Sequence, residues 1–284
     1  MPKKAINDAK FKIISSRNND LIKYISLLQN SGPRGNKLRA DDKCAVLEGV
    51  HLLQAWLHSK KNYQLETIIT TKQALENEEI RDLFYYIDEA NLPLVNWILI
   101  DADLIQGLAS TKSNHFVIGL IKLGSIPTAI DFTQDLVILD RLQDPGNVGN
   151  ILRSCVASGF NQIISIKGTV SLWAPKVIRA GMGAHVHLNI CEGSDLVDIS
   201  KDFITPLLGT SLSVEAANIF EMTSLLKDPV MWVFGNEGTG ISKEFSNISK
   251  GVFIPQSSKV ESLNVSAAAA ICLFECVRIR SNQF

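Results

Sequence analysis

Short, continuous apolar runs recur through the second half of the chain, and they constrain its fold more than any other feature. Leu136-Val137-Ile138-Leu139 is one such run, and similar ones occupy residues 162–166, 204–208, 230–234 and 252–254. A strand that is apolar on both sides is typical of a sheet covered by helices on both faces. Helical stretches separate several of these runs, which predicts an α/β domain with a mostly parallel sheet.

A break in this periodicity divides the chain. The run Gly124-Ser125-Ile126-Pro127 interrupts it, because glycine and proline favour loops. We therefore predict a domain at residues 1–122, a linker at 123–133 and a second domain at 134–284.

The first half predicts a smaller α/β domain. Leu21, Tyr24, Ile25 and Leu28 recur at helical spacing. The glycines and proline of residues 32–35 predict a loop. Apolar patterns further along predict strands at 44–47, 65–70 and 116–121, and a helix at 50–57.

Composition excludes several classes of protein. The 284 residues are 46% hydrophobic and 20% charged, which is enough apolar material for proper cores. No apolar run approaches the roughly eighteen residues of a membrane helix, and the start of the chain lacks the apolar core of a signal peptide. We expect a soluble, cytoplasmic protein without a membrane partner. The five cysteines have no C-x-x-C spacing, and Cys272 and Cys276 fit buried free thiols.

Charge is unevenly distributed although the net charge is only −1. The first 61 residues contain five acidic residues, at 8, 20, 41, 42 and 48. This excess of basic residues fits an RNA-contacting patch or a solvated face equally well. The basic residues are Lys3, Lys4, Lys10, Lys12, Arg17, Lys23, Arg34, Lys37, Arg39, Lys43, Lys60 and Lys61.

Three polar loops follow predicted strands of the second half, where ligands of parallel sheets collect. The first loop, residues 140–147, contains Asp-Pro-Gly-Asn and leads into a predicted helix. Arg153 lies off the apolar stripe of that helix, on a side shared with Asn147 and Asn150. It is either an ordinary surface arginine or a guanidinium aimed at a cleft, where it can hold a phosphate or stabilise an alkoxide.

The other two loops suggest ligand contacts less strongly. Residues 235–240, Gly-Asn-Glu-Gly-Thr-Gly, contain three glycines, which let a backbone approach a ligand closely. They match neither a dinucleotide fingerprint nor a Walker A loop. In the third loop, residues 254–264, Pro255 ends a strand, and Ser262 or Asn264 caps the long helix predicted to follow.

The three loops in this order resemble motifs one, two and three of the SpoU family, also called the TrmH family, a branch of the SPOUT methyltransferases. The matching stretches are LDRLQDPGNVGNILRSCVASGF, VFGNEGTGIS and IPQSSKVESLNVSAAAAICLFE. The stretch SLWAPKVIRAGMGA resembles the segment between the first two motifs, and the similarity covers roughly residues 136–280. The first half is more loosely similar to the family's substrate-binding domain, through ISSRNNDLIKYISLL and VLEG.

This resemblance implies a fold, a cofactor and a reaction. The C-terminal sheet is expected to carry a trefoil knot. S-adenosylmethionine is the expected methyl donor, and the expected acceptor is a ribose 2′-hydroxyl of structured RNA, ribosomal rather than transfer RNA. The expected assembly is a homodimer whose active site is completed near the subunit interface. The implied catalytic residues are Asn147, Arg153, Glu237, Ser262 and Asn264, and the implied cofactor-binding residues are Thr210, Gly235, Ile254 and Leu263.

The chain departs from the family pattern at a few positions. Asn150 stands where a small residue is common, and Gly181 where serine is common. His185 and His187 are predicted to share a strand face, and a structural role is favoured over metal binding because no carboxylate partner is near in sequence. We therefore predict no metal site.

Other functions remain open. A transfer RNA 2′-O-methyltransferase or a non-catalytic RNA-binding relative fits the same resemblance. A dehydrogenase is disfavoured because no glycine fingerprint is followed by an acidic ribose partner.

Overall fold

The computed structural model describes residues 10–59, 64–89, 95–105, 107–109, 116–123, 129–213 and 215–281. The chain divides into two compact units. Unit 1 comprises Met1–Ser125 with Trp173–Pro175, and unit 2 comprises Ile126–Leu172 with Lys176–Phe284. The centre of the predicted linker, residues 124–128, lies outside the described residues.

Unit 1 is built on a five-stranded mixed sheet of order β1-β4-β3-β5-β2. β5 runs antiparallel to β3 and β2, and the remaining pairs are parallel. The strands are β1 (Phe11–Ile14), β2 (Cys44–Glu48), β3 (Gln64–Thr70), β4 (Asn96–Ile100) and β5 (Val117–Lys122), and the helices are α1 (Asp20–Leu28), α2 (Pro33–Asp42), α3 (Val50–Leu57) and α4 (Glu78–Glu89).

Helices cover both faces of this sheet. Ile22 and Ile25 of α1 are buried in a core that includes Ile14 of β1. Phe11 points to the opposite face, because side chains of a strand alternate. There its ring stacks on Phe84 of α4, with 5.4 Å between ring centroids. The helical spacing at 21–28, the predicted helix at 50–57 and the three predicted strands are confirmed, whereas the patterns do not predict β1, β4 or α4.

The loop predicted at residues 32–35 is wrong, because α2 begins at Pro33. Proline is favoured in the first turn of a helix, where its missing N–H has no partner to lose. Gly35 is buried where α2 approaches the end of α1, and a Cβ there would lie 2.0 Å from the Asn30 carbonyl oxygen. These residues therefore serve helix initiation and close packing.

Unit 2 is an α/β domain with a seven-stranded sheet of order β10-β12-β9-β11-β6-β7-β8, in which every strand pair is parallel. The predicted parallel sheet is confirmed. The strands are β6 (Leu136–Asp140), β7 (Gln162–Ile166), β8 (Asn189–Ser194), β9 (Leu207–Thr210), β10 (Ala217–Asn218), β11 (Met231–Gly235) and β12 (Lys250–Phe253), and the helices are α5 (Pro145–Ser158), α6 (Pro175–Gly181), α7 (Leu196–Ile199), α8 (Lys243–Ile248) and α9 (Val265–Ser281).

The central strands explain the apolar runs. Leu136, Val137, Ile138 and Leu139 of β6 are all fully buried, as are the first four residues of β11 beside it. The run at 204–208 becomes a strand only from Leu207, and Ile204 is 71% exposed. Pro206 explains the late start, because it has no N–H to donate to a neighbouring strand.

The strand order brings distant segments to one edge. β11 lies between β9 and β6, so that strands far apart in the chain are neighbours. Because all the strands are parallel, the loops after β6, β11 and β12 leave from the same edge of the sheet. The trefoil knot stays a prediction from the family resemblance.

Two further predictions concern buried polar groups. Cys272 and Cys276 are buried free thiols, as predicted. The strand predicted for the two histidines is wrong, since they lie in a 3₁₀ turn, Ala184–His187. His185 is buried, and its Nε2 lies 2.8 Å from the Leu172 carbonyl oxygen, which supports a structural role. A Cβ at Gly181 would lie 3.1 Å from the His185 ring, which accounts for the glycine there.

Candidate active site

The loop after β11 folds back tightly on its own strand. Gly235 is buried, and a Cβ at this position would lie 2.1 Å from the Ile241 amide nitrogen. A β-bridge joins Asn236 to Gly240, and Gly240 has a φ of +68°, which favours glycine. Gly235 and Gly240 are therefore required by the compact shape of the loop.

A cavity of about 570 Å³ opens beside this loop, and its volume suits a small-molecule ligand. Its lining combines apolar side chains, such as Ile254 and Leu263, with hydroxyl and amide groups. The lining includes all four residues predicted to bind the cofactor, Thr210, Gly235, Ile254 and Leu263, and three of the predicted catalytic residues, Glu237, Ser262 and Asn264.

This lining fits S-adenosylmethionine. Gly235 lines the cavity, while the space that a Cβ would need there is filled by the backbone of Gly240 and Ile241. Among the described lining residues, Glu237 carries the single formal charge, so the cavity suits a ligand with a positive centre. Apolar and polar groups together match an adenosyl group, which is flat and apolar with hydrogen-bonding edges.

A chain of hydrogen bonds joins the three loops. Asn264 Nδ2 donates to Asn147 Oδ1 at 2.9 Å, and Asn147 Nδ2 donates to Glu237 Oε1 at 3.1 Å. These residues lie 117 and 90 positions apart in the sequence. The predicted catalytic residues Asn147, Glu237 and Asn264 therefore meet in space.

The cap of helix α9 fixes the direction of these hydrogen bonds. Asn264 Oδ1 accepts hydrogen bonds from the Ser266 amide and hydroxyl at the start of α9, at 2.9 and 2.7 Å. Asn264 is thus the cap of this helix, whereas Ser262, the other candidate, lines the cavity. With its oxygen committed to the helix, the Asn264 amide can offer only its NH₂ group to Asn147. Asn147 must then turn its own NH₂ group towards Glu237.

Glu237 is an ionised acceptor. Partial burial opposes ionisation, but hydrogen bonds from Asn147 and from backbone amides, including that of Asp144, outweigh it. The pKa of Glu237 consequently lies below its ordinary value. At neutral pH this carboxylate anchors Asn147 and the start of α5 and has little capacity to take up a proton.

Arg153 is the exception among the predicted site residues. It lies on α5 about 9 Å further along the helix axis than Asn147, from a rise of about 1.5 Å per residue. Its side chain is exposed, as the apolar stripe predicted, and is not part of the cavity lining. It makes no hydrogen bond or ion pair within the part of the chain that the structure describes. The exposed guanidinium can therefore contact an external ligand.

Two contributors were not among the predicted site residues. Asp140 is almost fully buried at the end of β6, and its carboxylate accepts a hydrogen bond from the Ser242 amide. Asn236 donates to the Arg141 carbonyl oxygen at 3.0 Å and accepts from the Gly238 amide. Their positions could have identified them, since Asp140 is the last residue of apolar strand β6 and Asn236 directly follows apolar strand β11.

The described segments contain no group of three or more His, Cys, Asp or Glu side chains arranged to hold a metal ion. Among the same residues, no helix has both the length and the apolar character needed to cross a bilayer.

The fold and this site define an α/β enzyme domain with a ligand cavity at the carboxyl edge of a parallel sheet. Residues 135–274 match the model of the SpoU rRNA methylase family. The second half of the chain therefore contains a SpoU-type methyltransferase domain, and S-adenosylmethionine is the methyl donor of that family.

Individual relatives agree with this assignment. The chain is 28% identical to an uncharacterized tRNA/rRNA methyltransferase of Synechocystis sp., over 93% of each chain. It is 23% identical to the 23S rRNA (guanosine(2553)-2′-O)-methyltransferase of Bacillus subtilis, over 77% of this chain and 92% of the relative.

Solved structures share the fold. The SpoU methyltransferase AviRb from Streptomyces viridochromogenes, in complex with AdoMet, has a TM-score of 0.80 at 20% identity, covering 93% of this chain and 99% of that one. An AdoMet-bound rRNA methyltransferase from Sinorhizobium meliloti has a TM-score of 0.77 at 22% identity. The match covers 95% of this chain and 98% of that one.

Proposed function

We propose that this protein transfers a methyl group from S-adenosylmethionine to a ribose 2′-hydroxyl of ribosomal RNA. The observation that carries the proposal is the hydrogen-bonded chain Glu237–Asn147–Asn264 at a cavity lined by the residues expected to bind the donor. The name of the Bacillus subtilis relative supports both the 2′-oxygen and the ribosomal substrate.

The reaction depends more on the alignment of the methyl donor with the ribose hydroxyl than on a strong catalytic acid or base. When bound, S-adenosylmethionine supplies an electrophilic methyl group on a sulfonium, and no metal is required. The cavity holds the donor, and the fixed amides of Asn147 and Asn264 lie beside it to orient the incoming ribose. A ribose hydroxyl is a weak acid, so stabilising its developing negative charge is the difficult part.

We assign that stabilisation to Arg153. An arginine keeps its proton at any physiological pH and is a poor base. Its guanidinium instead stabilises the nascent alkoxide and clamps a neighbouring phosphate, while the hydroxyl proton passes to solvent. Because Arg153 does not line the cavity of its own chain, the proposal includes a homodimer in which the site is completed near the subunit interface.

Unit 1 is the proposed RNA-binding unit. Lys12, Lys23, Arg34, Lys37 and Lys43 are all exposed, and these five residues form what we call the basic set. Arg39 is excluded from it because its buried guanidinium donates to the Asn30 carbonyl oxygen at 3.0 Å. Lys3, Lys4, Lys60 and Lys61 lie outside the described residues. The bacterial 23S rRNA methyltransferase among the relatives supports a cytoplasmic location for the proposed reaction.

The test is the position of the methyl group. Ribosomal and transfer RNA from cells that lack the gene are incubated with the purified protein and labelled S-adenosylmethionine. A 2′-O-methyl group protects its phosphodiester from alkali, so labelled alkali-resistant dinucleotides identify the acceptor. We expect one position in ribosomal RNA. Label confined to transfer RNA supports the alternative substrate, and RNA binding without donor binding supports a non-catalytic relative.

A further inference from the structure

The loop between β11 and α8, residues 236–242, forms one wall of the cavity and carries Glu237. Asp140 contacts this loop at both of its ends. The β6–β11 register pairs Asp140 with Gly235, immediately before the loop begins. Asp140 Oδ2 accepts a hydrogen bond from the Ser242 amide, where the loop ends, at 2.5 Å. Asp140 therefore links the start of the loop to its end.

The carboxylate of Asp140 is suited to this task. Its side chain is 1% exposed, and its other oxygen accepts from Arg141 Nε at 2.9 Å. Arg141 has a φ of +59°, and its carbonyl oxygen accepts from Asn236 at 3.0 Å, inside the same loop. A buried carboxylate that keeps such partners is costly to disturb, because the loss of one leaves a charged or polar group unpaired.

From this geometry we infer that Asp140 is a positioning residue for the methyl donor, acting through the loop 236–242. The inference rests on the proposed function, since it assumes that the cavity binds S-adenosylmethionine. Asp140 does not line the cavity, so it acts through the backbone that does. The specific contribution of Asp140 is to hold the loop against Gly235, in the conformation that contacts the donor.

The test is the affinity for S-adenosylhomocysteine, measured by calorimetry on the purified full chain. Asp140→Asn keeps the volume but sets an NH₂ group against either the Ser242 amide or the Arg141 guanidinium. Ser242→Pro removes the same N–H at a φ of −63°, a value that proline adopts. Ser242→Ala is the matched control, because it keeps the N–H and the serine side chain makes no capping hydrogen bond.

We expect Asp140→Asn and Ser242→Pro each to raise the Kd by roughly tenfold or more, and Ser242→Ala to leave it within about twofold. In turnover, Asp140→Asn raises the KM for the donor more than it lowers kcat. Thermal unfolding of each variant without ligand shows whether it is folded. Wild-type affinity in folded Asp140→Asn overturns the inference. If the wild-type protein itself does not bind the ligand, the proposed function fails instead.

Discussion

Asn147 lies between an amide and a carboxylate, and its orientation depends on both. It accepts from Asn264 and donates to Glu237, so neither of its polar groups is free to rotate. At the scale of single residues, we expect the proposed catalysis to depend on the direction of each hydrogen bond as much as on which residues are present.

Substitution of Asn264 tests this direction. Asn264→Asp keeps an oxygen to cap α9, but it cannot donate to Asn147. We expect an unchanged unfolding midpoint and a kcat lowered by about tenfold or more, since one charge-neutral donor is replaced by an acceptor. Urea unfolding and single-turnover methylation measure the two effects. Asn264→Ala, which loses the cap as well, is expected to reduce stability by about 1 kcal/mol.

Arg153 tests the assigned chemistry. Arg153→Ala is expected to lower the rate of methyl transfer by about a hundredfold or more, by analogy with the loss of an oxyanion donor. Donor affinity should stay the same, because Arg153 does not line the cavity. Arg153→Lys should also perform poorly, since a point charge lacks the two-pronged guanidinium geometry. Near-normal turnover of Arg153→Ala, with donor binding intact, contradicts both assigned roles.

The pKa of Glu237 gives a prediction for pH. Its folded-state pKa lies below the ordinary value of 4.5, so its ionised form contributes to stability above that value. The contribution is lost as the pH falls through the lower, folded-state pKa. We therefore expect the stability difference between the wild-type protein and Glu237→Gln to be constant from about pH 6 to 8 and to shrink below about pH 4.5. Urea unfolding at a series of pH values measures it; a difference that grows in acid contradicts the assignment.

At the scale of elements, α9 is held at both ends. Asn264 fixes its first turn to the active site, and Arg280 in its last turn forms an ion pair with Asp135. Arg280 also donates to the Leu226 and Asp228 carbonyl oxygens, at 3.0 and 2.7 Å. The helix thereby connects the amides of Asn147 and Asn264 to the opposite end of the sheet, where β6 begins.

Removal of this ion pair should weaken unit 2. The side chains of Arg280 and Asp135 are only 25% and 20% exposed. Arg280→Met leaves the Asp135 carboxylate with the Val230 amide as its remaining donor, and it removes the guanidinium from two carbonyl groups. We expect the free energy of unfolding to fall by about 2–4 kcal/mol. The matched control is Lys167→Met, which breaks the exposed pair with Asp195 and should cost at most about 1 kcal/mol. Equal losses in the two variants contradict the claim that Arg280 anchors α9.

At the scale of the whole molecule, catalysis and RNA binding are assigned to different units. This division predicts that the two properties can be separated. Replacing Lys23, Arg34, Lys37 and Lys43 with glutamine should weaken RNA binding and flatten its dependence on salt. The slope should fall by up to about one for each RNA phosphate that the variant no longer neutralises. Donor affinity should not change.

The control removes two exposed lysines of unit 2, Lys201 and Lys227, by the same substitution. Filter binding over a salt series gives the slope, and calorimetry gives the donor affinity. If the unit 1 variant keeps the wild-type slope, the basic set is a solvated face, the other interpretation of its composition.

The strands and caps of this protein follow from local sequence. Continuous apolar runs predicted the central strands correctly, because a strand buried on both faces has no polar positions to alternate with. The stripe along α5 placed Arg153 on the exposed side, and residue type gave Ser262 and Asn264 as the two cap candidates, of which the structure uses Asn264. Local patterns fail where packing overrides composition, as at Gly35, which is a contact between helices rather than a loop residue.

The sequence by itself determined the parallel sheet, the family and the set of loops that form the site. Only the tertiary structure decided which side chains meet: Asn147 with Glu237 and Asn264, Asp140 with the Ser242 amide, and Arg39 with buried carbonyl oxygens. The physical reason is the separation in sequence between the groups that interact. Burial and capping are encoded within a few residues, whereas hydrogen bonds between segments about a hundred residues apart depend on the strand order that brings them to one edge of the sheet.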